Sequence, residues 1–246
     1  MLSKSEIKYI QSLSHKKFRD EERTFVVEGL KMADEVLASH SSQIKAVYAT
    51  DQWVVKNGHK LGKNISVRVV EEYELQKISF LSKANDVLLV MNKPAELPFN
   101  PEMNSLILGL DQIQDPGNLG TIIRTCDWFG INSIVCSMDT VDAFNPKVVQ
   151  SAMGSIFHIR IIYQDLTGFL DAYPIYKPCV AVLDGQPFDA VVPDRNTMLV
   201  IGNESKGVSQ EMKMRAAAKI TIPKKGRAES LNAAVATAVI LSGWCK

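Results

Sequence analysis

The hydrophobic positions along the chain alternate between two spacings, one of two residues and one of three to four. Short runs rich in β-branched residues, such as TFVVEG and IKAVYAT, predict strands. SEIKYIQSL and LKMADEVLAS instead place apolar residues three and four apart, which predicts helices. In the second helix we expect Leu30, Ala33, Val36 and Leu37 to face a core. Strands that alternate with helices indicate an α/β fold.

A break in this pattern divides the chain. The stretch KPAELPFNPEMN holds three prolines and shows no apolar periodicity, which is typical of a linker. We therefore predict a small N-terminal α/β domain over residues 1–93, a linker over 94–104 and a larger domain over 105–246. The larger domain opens with SLILGLDQI, a near-continuous apolar run as expected for a strand of a parallel sheet covered on both faces.

Composition narrows the possible classes of protein. The chain has 246 residues, of which 46% are hydrophobic and 22% charged, as in ordinary globular proteins. No apolar run approaches the roughly 18 residues of a membrane span, and MLSKSEIKYI has no signal-peptide core. The 4 cysteines form no C-x-x-C pair and the 4 histidines are scattered. We therefore expect reduced thiols, a cytoplasmic location and no metal site.

Charge gives only a local signal. The formal net charge is +1, so no global basic field points to a nucleic acid. The stretch HKKFRDEER gathers Lys16, Lys17, Arg19 and Arg23, but acidic residues are interleaved with them. This cluster predicts either an RNA-binding patch or a solvated helix face with ion pairs between residues four apart.

Three loops follow predicted strands, where parallel sheets bind ligands. In the first, DPGNLGTIIRT, we expect Pro116 and Gly117 to form a turn, Asn118 to cap the next helix and Gly120 to allow a close backbone approach. Arg124 follows within two helical turns. A capped helix with a surface arginine explains the same residues without a ligand.

The second and third loops are also ambiguous when taken singly. In GNESKGVS, Gly202 and Gly207 bracket four polar residues, without the spacing of a Walker or dinucleotide-binding motif. In IPKKGRAESLN, Ser230 or Asn232 is predicted to cap a helix that begins at Ala233. Each loop is either a ligand site or a simple connection.

Together, and in this order, the loops resemble the three motifs of SpoU-type (TrmH-family) RNA 2′-O-ribose methyltransferases of the SPOUT superfamily. The match runs from about residue 105 to the end, and the N-terminal third resembles a ribosomal-protein-like substrate-binding domain. The first motif corresponds to Asn118, Gly120 and Arg124, the second to Gly202, Asn203, Glu204 and Gly207, and the third to Ile222, Pro223, Gly226, Ser230, Leu231 and Asn232.

The resemblance implies an architecture, a cofactor and partners. The C-terminal domain would carry a parallel sheet with a deep trefoil knot, although knots are almost absent from proteins. It would bind S-adenosyl-L-methionine, need no metal and form a homodimer. The substrate would be RNA, with ribosomal RNA favoured over transfer RNA. A transfer RNA ribose methyltransferase, an enzyme that methylates a base and a non-catalytic RNA-binding assembly factor are the alternatives.

The resemblance also implies roles for individual residues. A guanidinium is an awkward general base because it holds its proton tightly, so we expect Arg124 to bind a phosphate and polarise the ribose hydroxyl rather than to accept its proton. The implied catalytic residues are Arg124, Asn118, Glu204, Ser230 and Asn232; the implied cofactor-binding residues are Gly202, Asn203, Ile222, Leu231 and Leu183; and the implied RNA-binding residues are Lys16, Lys17, Arg19 and Arg124.

Overall fold

The computed structural model describes residues 1–62, 65–95, 98–101 and 106–245. Contacts divide the chain into two compact units, the first formed by residues 1–97 and 144–154, the second by 98–143 and 155–246. This grouping differs from the sequence-based division at residues 144–154, which the sequence places in the larger domain. Residues 96–97 and 102–104 of the predicted linker, and residue 105, lie outside the described residues.

The first unit is built on a mixed sheet with strand order β1–β4–β2–β3. Strand β4 runs antiparallel to both β1 and β2, whereas β2 and β3 are parallel. The small N-terminal α/β domain predicted from the alternating pattern is therefore confirmed as an α/β unit. Its elements are α1 (Lys4–Ser12), α2 (Lys16–Glu22), β1 (Thr24–Glu28), α3 (Leu30–Ser39), β2 (Ile44–Ala49), α4 (Asp51–Asn57), β3 (Ser66–Val69), α5 (Glu72–Ile78) and β4 (Val87–Asn92).

Capping and apolar periodicity explain the helices of this unit. Ser3 caps α1 in a capping box with Glu6, and Ile10 of that helix is fully buried. In α3 the expected core residues Ala33, Val36 and Leu37 are buried, each removing apolar surface from water. The expectation for Leu30 was wrong. It is the first residue of the helix and 45% exposed, so the buried face of α3 begins with Met32.

One helix from the C-terminal half of the sequence packs in the first unit. Helix α7 (Pro146–Ala152) begins at the predicted cap Asn145, with Pro146 at its first position, and packs against β1. The Phe144 ring lies 4.7 Å from that of Phe25, centroid to centroid. These aromatic and apolar contacts account for the grouping of residues 144–154 with the first unit.

The second unit is a six-stranded sheet with the order β10–β8–β9–β5–β6–β7, in which every pairing is parallel. The parallel-sheet domain predicted from the sequence is confirmed. The elements are β5 (Ile107–Asp111), α6 (Pro116–Trp128), β6 (Ser133–Cys136), β7 (Arg160–Tyr163), α8 (Leu166–Ala172), β8 (Lys177–Pro187), β9 (Thr197–Gly202), α9 (Gln210–Arg215), β10 (Ala218–Thr221) and α10 (Ala233–Trp244).

The strand order of this sheet reverses at β5. The chain runs from β5 outward to β6 and β7, then returns to the other side of β5 with β8 and β9. Asp111 at the end of β5 is paired with Gly202 at the end of β9, so the loops after both strands begin side by side. Such a point is where parallel sheets form a ligand crevice.

A long irregularity in β8 opens space at the same edge of the sheet. Val180 of β8 is the register partner of Lys219 in β10, but the next partner, that of Ile220, is Gln186. Residues 181–185 therefore leave the ladder between these two pairs. Gly185 lies so close to the β10 backbone that an added Cβ would come 2.5 Å from the Ile220 carbonyl carbon. The close approach lies just before Gln186, where β8 pairs with β10 again.

Among the described residues, no helix is both long and apolar enough to cross a membrane.

Candidate active site

The first motif lies at the N-terminus of α6, but not as the sequence suggested. Asp115, rather than Asn118, caps the helix, and its side chain accepts the Asn118 backbone N–H over 2.8 Å. Pro116 and Gly117 belong to the first helical turn instead of a separate turn. The expected cap role of Asn118 was therefore wrong. An aspartate directly before a proline at the first helical position is itself a start signal. As a result, the Asn118 side chain is available for tertiary contacts.

The second motif is shaped by Asn203, which is buried. Its backbone N–H and C=O pair with Gly207, closing the loop over itself. Its side-chain Oδ1 accepts the backbone N–H groups of Ser205 and Lys206 over 2.9 and 3.0 Å. Its Nδ2 donates to the Gln112 carbonyl over 2.8 Å. The polar atoms of this predicted cofactor-binding residue thus hold the loop after β9 to the loop after β5.

Gly202 is required by the loop's own backbone. A Cβ at this position would lie 2.2 Å from the Val208 nitrogen and 2.3 Å from the Gly207 carbonyl carbon. No side chain fits there without displacing the loop. Gly202 is therefore needed where the loop returns past its own start, at Gly207 and Val208.

The third motif ends in a helix cap. Asn232 Oδ1 accepts the backbone N–H groups of Ala234 and Val235 over 2.9 and 3.3 Å, at the start of α10. Of the two candidate caps, Asn232 has the role and Ser230 does not. Ser230 and Leu231 precede the cap on an exposed stretch of loop. The capping interpretation is confirmed, but it uses only one of the two polar groups of the Asn232 side chain.

The other polar group of Asn232 joins all three motifs. Asn232 Nδ2 donates to Asn118 Oδ1 over 2.8 Å, and Asn118 Nδ2 donates to Glu204 Oε1 over 2.6 Å. The direction of this chain follows from its start. Because the helix amides require the Asn232 oxygen as acceptor, its nitrogen must face Asn118, whose own nitrogen then faces Glu204. The α10 cap thereby sets the orientation of a carboxylate on a different loop.

A cavity of about 860 Å³ lies beside this hydrogen-bonded chain, a volume in the range of small-molecule sites. All five residues predicted to bind the cofactor line it, namely Leu183, Gly202, Asn203, Ile222 and Leu231. Glu204 and Ser230 line it as well. Leu183 and Leu231 are 74% and 48% exposed, so two apolar side chains at this cavity remain available to a flat ring.

The residues that line the cavity combine apolar and polar groups, and this combination fits S-adenosylmethionine. The cavity has apolar walls from Ile222, Leu183 and Leu231, and Glu204 and Ser230 add polar groups. Among the described residues, no group of three or more histidine, cysteine, aspartate or glutamate side chains could hold a metal ion. The apolar walls and the polar groups of Glu204 and Ser230 suit an organic cofactor with an apolar and a polar end.

Arg124 is placed on α6, outside this hydrogen-bonded chain. It is exposed, and it makes no hydrogen bond or ion pair with any residue in the described part of the chain. Six residues of helix separate it from Asn118 by about 9 Å along the axis and about 120° around it. The structure thus joins Asn118, Glu204 and Asn232, and leaves the Arg124 guanidinium open to a ligand.

The basic N-terminal cluster is not a uniform cationic surface. Lys16 and Lys17 form ion pairs with Asp20 and Glu21, at 2.5 and 3.8 Å, one helical turn along α2. These are the pairs that the solvated-face interpretation predicts. Arg19 is only 1% exposed and donates to the backbone carbonyls of Leu13 and Ser14, both over 2.8 Å. The prediction that Arg19 presents its charge to RNA is therefore corrected: it closes the α1–α2 turn.

Two supporting residues of the site were not predicted. Gln112 has a φ of 61° although it is not glycine, and its N–H donates to Ser137 Oγ over 2.8 Å. Backbone strain of this kind gathers at functional sites. Asp111 is buried and accepts the Ser209 N–H over 2.7 Å, which anchors the far end of the β9 loop. No local pattern marks either position, since both depend on neighbouring strands.

Two protein-family models match the chain over separate regions. The model described as the SpoU rRNA Methylase family matches residues 105–242. The model described as an MRM3-like substrate binding domain matches residues 4–88. The first covers the sheet that carries the three motifs, and the second lies within the N-terminal α/β unit.

Individual relatives match nearly the whole chain. The 23S rRNA (guanosine(2553)-2′-O)-methyltransferase RlmP of Bacillus subtilis is 30% identical over 96% of this chain and 94% of its own. A crystal structure of an AdoMet-bound rRNA methyltransferase from Sinorhizobium meliloti is 30% identical, with a TM-score of 0.88 over 99% of this chain and 95% of that one. A structure from Porphyromonas gingivalis, proposed to be an RNA methyltransferase of the TrmH family, is 32% identical, with a TM-score of 0.87 over 99% and 98%.

Proposed function

The chain belongs to the SpoU rRNA methylase family, and on that premise we propose that it transfers a methyl group from S-adenosylmethionine to a ribose 2′-hydroxyl of ribosomal RNA. The observation that carries the proposal is the hydrogen-bonded chain Asn232–Asn118–Glu204 beside the cavity. It brings together one residue from each of the three motifs, next to every residue predicted to bind the cofactor.

The reaction makes specific demands on the protein. Bound S-adenosylmethionine supplies a methyl group on a positively charged sulfur, which an oxygen nucleophile attacks in line. The protein must align the ribose hydroxyl with that methyl group and stabilise the loss of the hydroxyl proton. Alignment on this scale needs loops that do not move. The hydrogen bonds of the Asn203 side chain hold the second motif in place, and the Asn232 cap holds the third.

Each polar group of the site then has a proposed role. The Arg124 guanidinium binds a phosphate beside the target ribose and polarises the hydroxyl, since the planar fork of an arginine fits a phosphate. Asn118 holds Glu204 in one orientation, and Ser230 and Asn232 contact the ribose or the methionine end of the cofactor. Leu231, Leu183 and Ile222 pack against the adenine. These roles come from the resemblance, and the chemistry and placement of the side chains support them.

Ribosomal RNA is the substrate favoured by two features. The Bacillus subtilis relative, aligned over nearly the whole chain, is a 23S rRNA 2′-O-methyltransferase. The N-terminal region matches a substrate-binding domain model, which agrees with an additional RNA-contacting unit. We further propose that the protein acts as a homodimer through its C-terminal unit, that this unit contains the trefoil knot, and that the enzyme works in the cytoplasm. The three buried free thiols of Cys126, Cys136 and Cys179 suit a reducing compartment.

Methyl transfer can be tested directly. The purified protein is incubated with methyl-labelled S-adenosylmethionine and with ribosomal RNA or ribosomal particles from a strain lacking its gene. We expect label in one RNA species, recovered as a 2′-O-methylnucleoside in an alkali-resistant dinucleotide. Label recovered in a base would replace the proposal with base methylation. Cofactor binding without label on RNA or particles would replace it with a non-catalytic RNA-binding role.

A further inference from the structure

The loop after β10 carries a run of cations at the mouth of the cavity. Lys224, Lys225 and Arg227 lie within four residues, and all three are exposed. Lys224 and Lys225 line the cavity itself. In the described part of the chain, none of the three side chains makes a hydrogen bond or ion pair. No ion pair with a described residue therefore holds these three side chains.

The N-terminal cluster differs in this respect. Lys16 and Lys17 are paired with carboxylates on their own helix, and the Arg19 guanidinium is buried against backbone carbonyls. A cation already held by a carboxylate has less to gain from a phosphate than an unpaired one. By charge and exposure, the loop after β10 is the better anion-binding surface.

Resting on the function proposed above, we infer that Lys224, Lys225 and Arg227 bind backbone phosphates of the RNA strand whose ribose enters the site. The loop runs from Ile222, at the cavity, to Asn232, which is hydrogen-bonded to Asn118. A strand held along it by its phosphates would pass the reacting groups. Lysine supplies point charges and arginine a planar fork that fits a phosphate, so the run suits a flexible polyanion.

A second anion could bind the same cations. The carboxylate of the cofactor's methionine end shares the chemistry of a phosphate oxygen, and Lys224 and Lys225 line the cavity. RNA phosphates are favoured because Arg227, unlike Lys224 and Lys225, is exposed without lining the cavity. Separate measurements of RNA and cofactor affinity distinguish the two sources.

The test is the salt dependence of RNA binding, with ribosomal RNA from the strain lacking the gene as the probe. Each lost phosphate contact lowers the slope of log affinity against log salt by about one. We expect K224A/K225A to lower the slope by about two, and K224A/K225A/R227A by about three, measured between about 50 and 200 mM salt. The charge-conserving variant K224R/K225R/R227K should retain the slope, which separates charge from loop folding.

A control removes an exposed cation at the opposite edge of the same sheet. Arg195 lies just before β9, at the amino-terminal edge, and makes no ion pair with any described residue. The slope should be unchanged in R195A. The inference is overturned if the triple variant keeps the wild-type slope, if K16A/K17A lowers it instead, or if the triple variant loses cofactor affinity.

Failure of this inference and failure of the proposed function have different signatures. If the wild-type protein methylates ribose but the triple variant binds RNA normally, only the assignment of the loop is wrong. If the wild-type protein transfers no methyl group, the proposed function fails, whatever the salt dependence.

Discussion

Asn232 Nδ2 donates a hydrogen bond to Asn118 Oδ1 over 2.8 Å, although the two residues lie 114 positions apart in the chain. Each is fixed by its own helix, Asn232 as the cap of α10 and Asn118 in the first turn of α6. The contact therefore ties two helix N-termini together. Because Asn118 Nδ2 donates a hydrogen bond to Glu204, the hydrogen-bonded chain extends to the loop after β9.

The first prediction concerns the direction of the hydrogen bonds from Asn232 to Asn118 and from Asn118 to Glu204. In N118D, an ionised carboxylate replaces the group that donates to Glu204, so two negative charges face each other. We expect turnover to fall by about 100-fold, as for other small losses of alignment. Adding E204Q restores a donor, because the introduced amide can donate to the introduced carboxylate, which still accepts the hydrogen bond from Asn232.

The stability of the same variants isolates the contact. The double variant N118D/E204Q should lose less unfolding free energy than the two single variants together. The coupling energy, measured by urea unfolding, should be about 0.5–1 kcal/mol. Strictly additive effects would show that the Asn118–Glu204 contact has no energetic role. E204Q alone serves as the control, since Asn118 can still donate to the amide oxygen.

Arg124 gives the second prediction, because it is exposed and does not line the cavity. R124A should lower the rate of methyl transfer by at least about 1000-fold, as expected when a charge-stabilising donor is removed. Cofactor affinity should remain within about twofold, measured by calorimetry. R124K keeps the charge but not the planar fork, and should still lose at least about tenfold.

A loss of cofactor affinity in R124A would assign Arg124 to the cofactor site instead of the substrate site. Comparison of the two variants also separates charge from geometry. Equal activity in R124K and wild type would rule out a requirement for bidentate phosphate binding.

The third prediction concerns Gly202, where an added Cβ would lie 2.2 Å from the Val208 nitrogen. G202A should destabilise the protein by about 1–3 kcal/mol, in the range of overpacked positions. Because the displaced loop carries Asn203 and Glu204 of the cavity lining, cofactor affinity should fall by at least about tenfold.

Gly226 is the matched control for Gly202. It lies on another loop lining the same cavity, but no heavy atom of the described residues, apart from Gly226 and its two chain neighbours, lies within 4 Å of the position that its Cβ would take. G226A should change stability by less than about 0.5 kcal/mol. Equal effects of the two substitutions would mean that loop entropy, rather than the close approach at Gly202, controls the site.

The sequence predicts most of the architecture because strand and helix periodicities are local. The parallel sheet and the three loops after its strands follow from such patterns, and the five cavity residues follow from the resemblance. The cap of α10 is local too, and Asn232 was one of the two residues predicted for it. By contrast, the burial of Arg19 depends on carbonyls five and six residues back in a turn that the charge pattern does not show.

Contacts between residues that are distant in the sequence could not be predicted from local patterns. The Asn118–Asn232 bond depends on which strand ends lie next to each other, and that is decided by the order of the whole sheet. The grouping of α7 with the N-terminal unit likewise depends on contacts such as Phe144 with Phe25, 119 positions apart by their numbers. Apolar spacing identifies a buried helix face but not the surface that covers it.

The last prediction concerns pH and stability at the cap of α8. Asp165 Oδ2 accepts the Thr167 hydroxyl and the Gly168 N–H, each over 2.6 Å. The Thr167 hydrogen bond, followed by that of Gly168, lowers the pKa of Asp165 below its ordinary value of 3.8. A carboxyl whose pKa is lower in the folded state stabilises the protein above the ordinary value, and loses that contribution as the pH falls through the folded pKa.

D165A should therefore cost about 1 kcal/mol at pH 7, the usual effect of removing a helix cap. The difference from wild type should shrink once the pH falls below about 4, as the wild-type carboxylate becomes protonated and its cap weakens. Urea unfolding at a series of pH values from 7 down to 3 measures it. D139A is the control, since it removes the charge of an exposed aspartate that does not cap a helix. A D165A difference that stays constant over this range would mean that the Asp165 cap stabilises α8 through packing alone, independently of its charge.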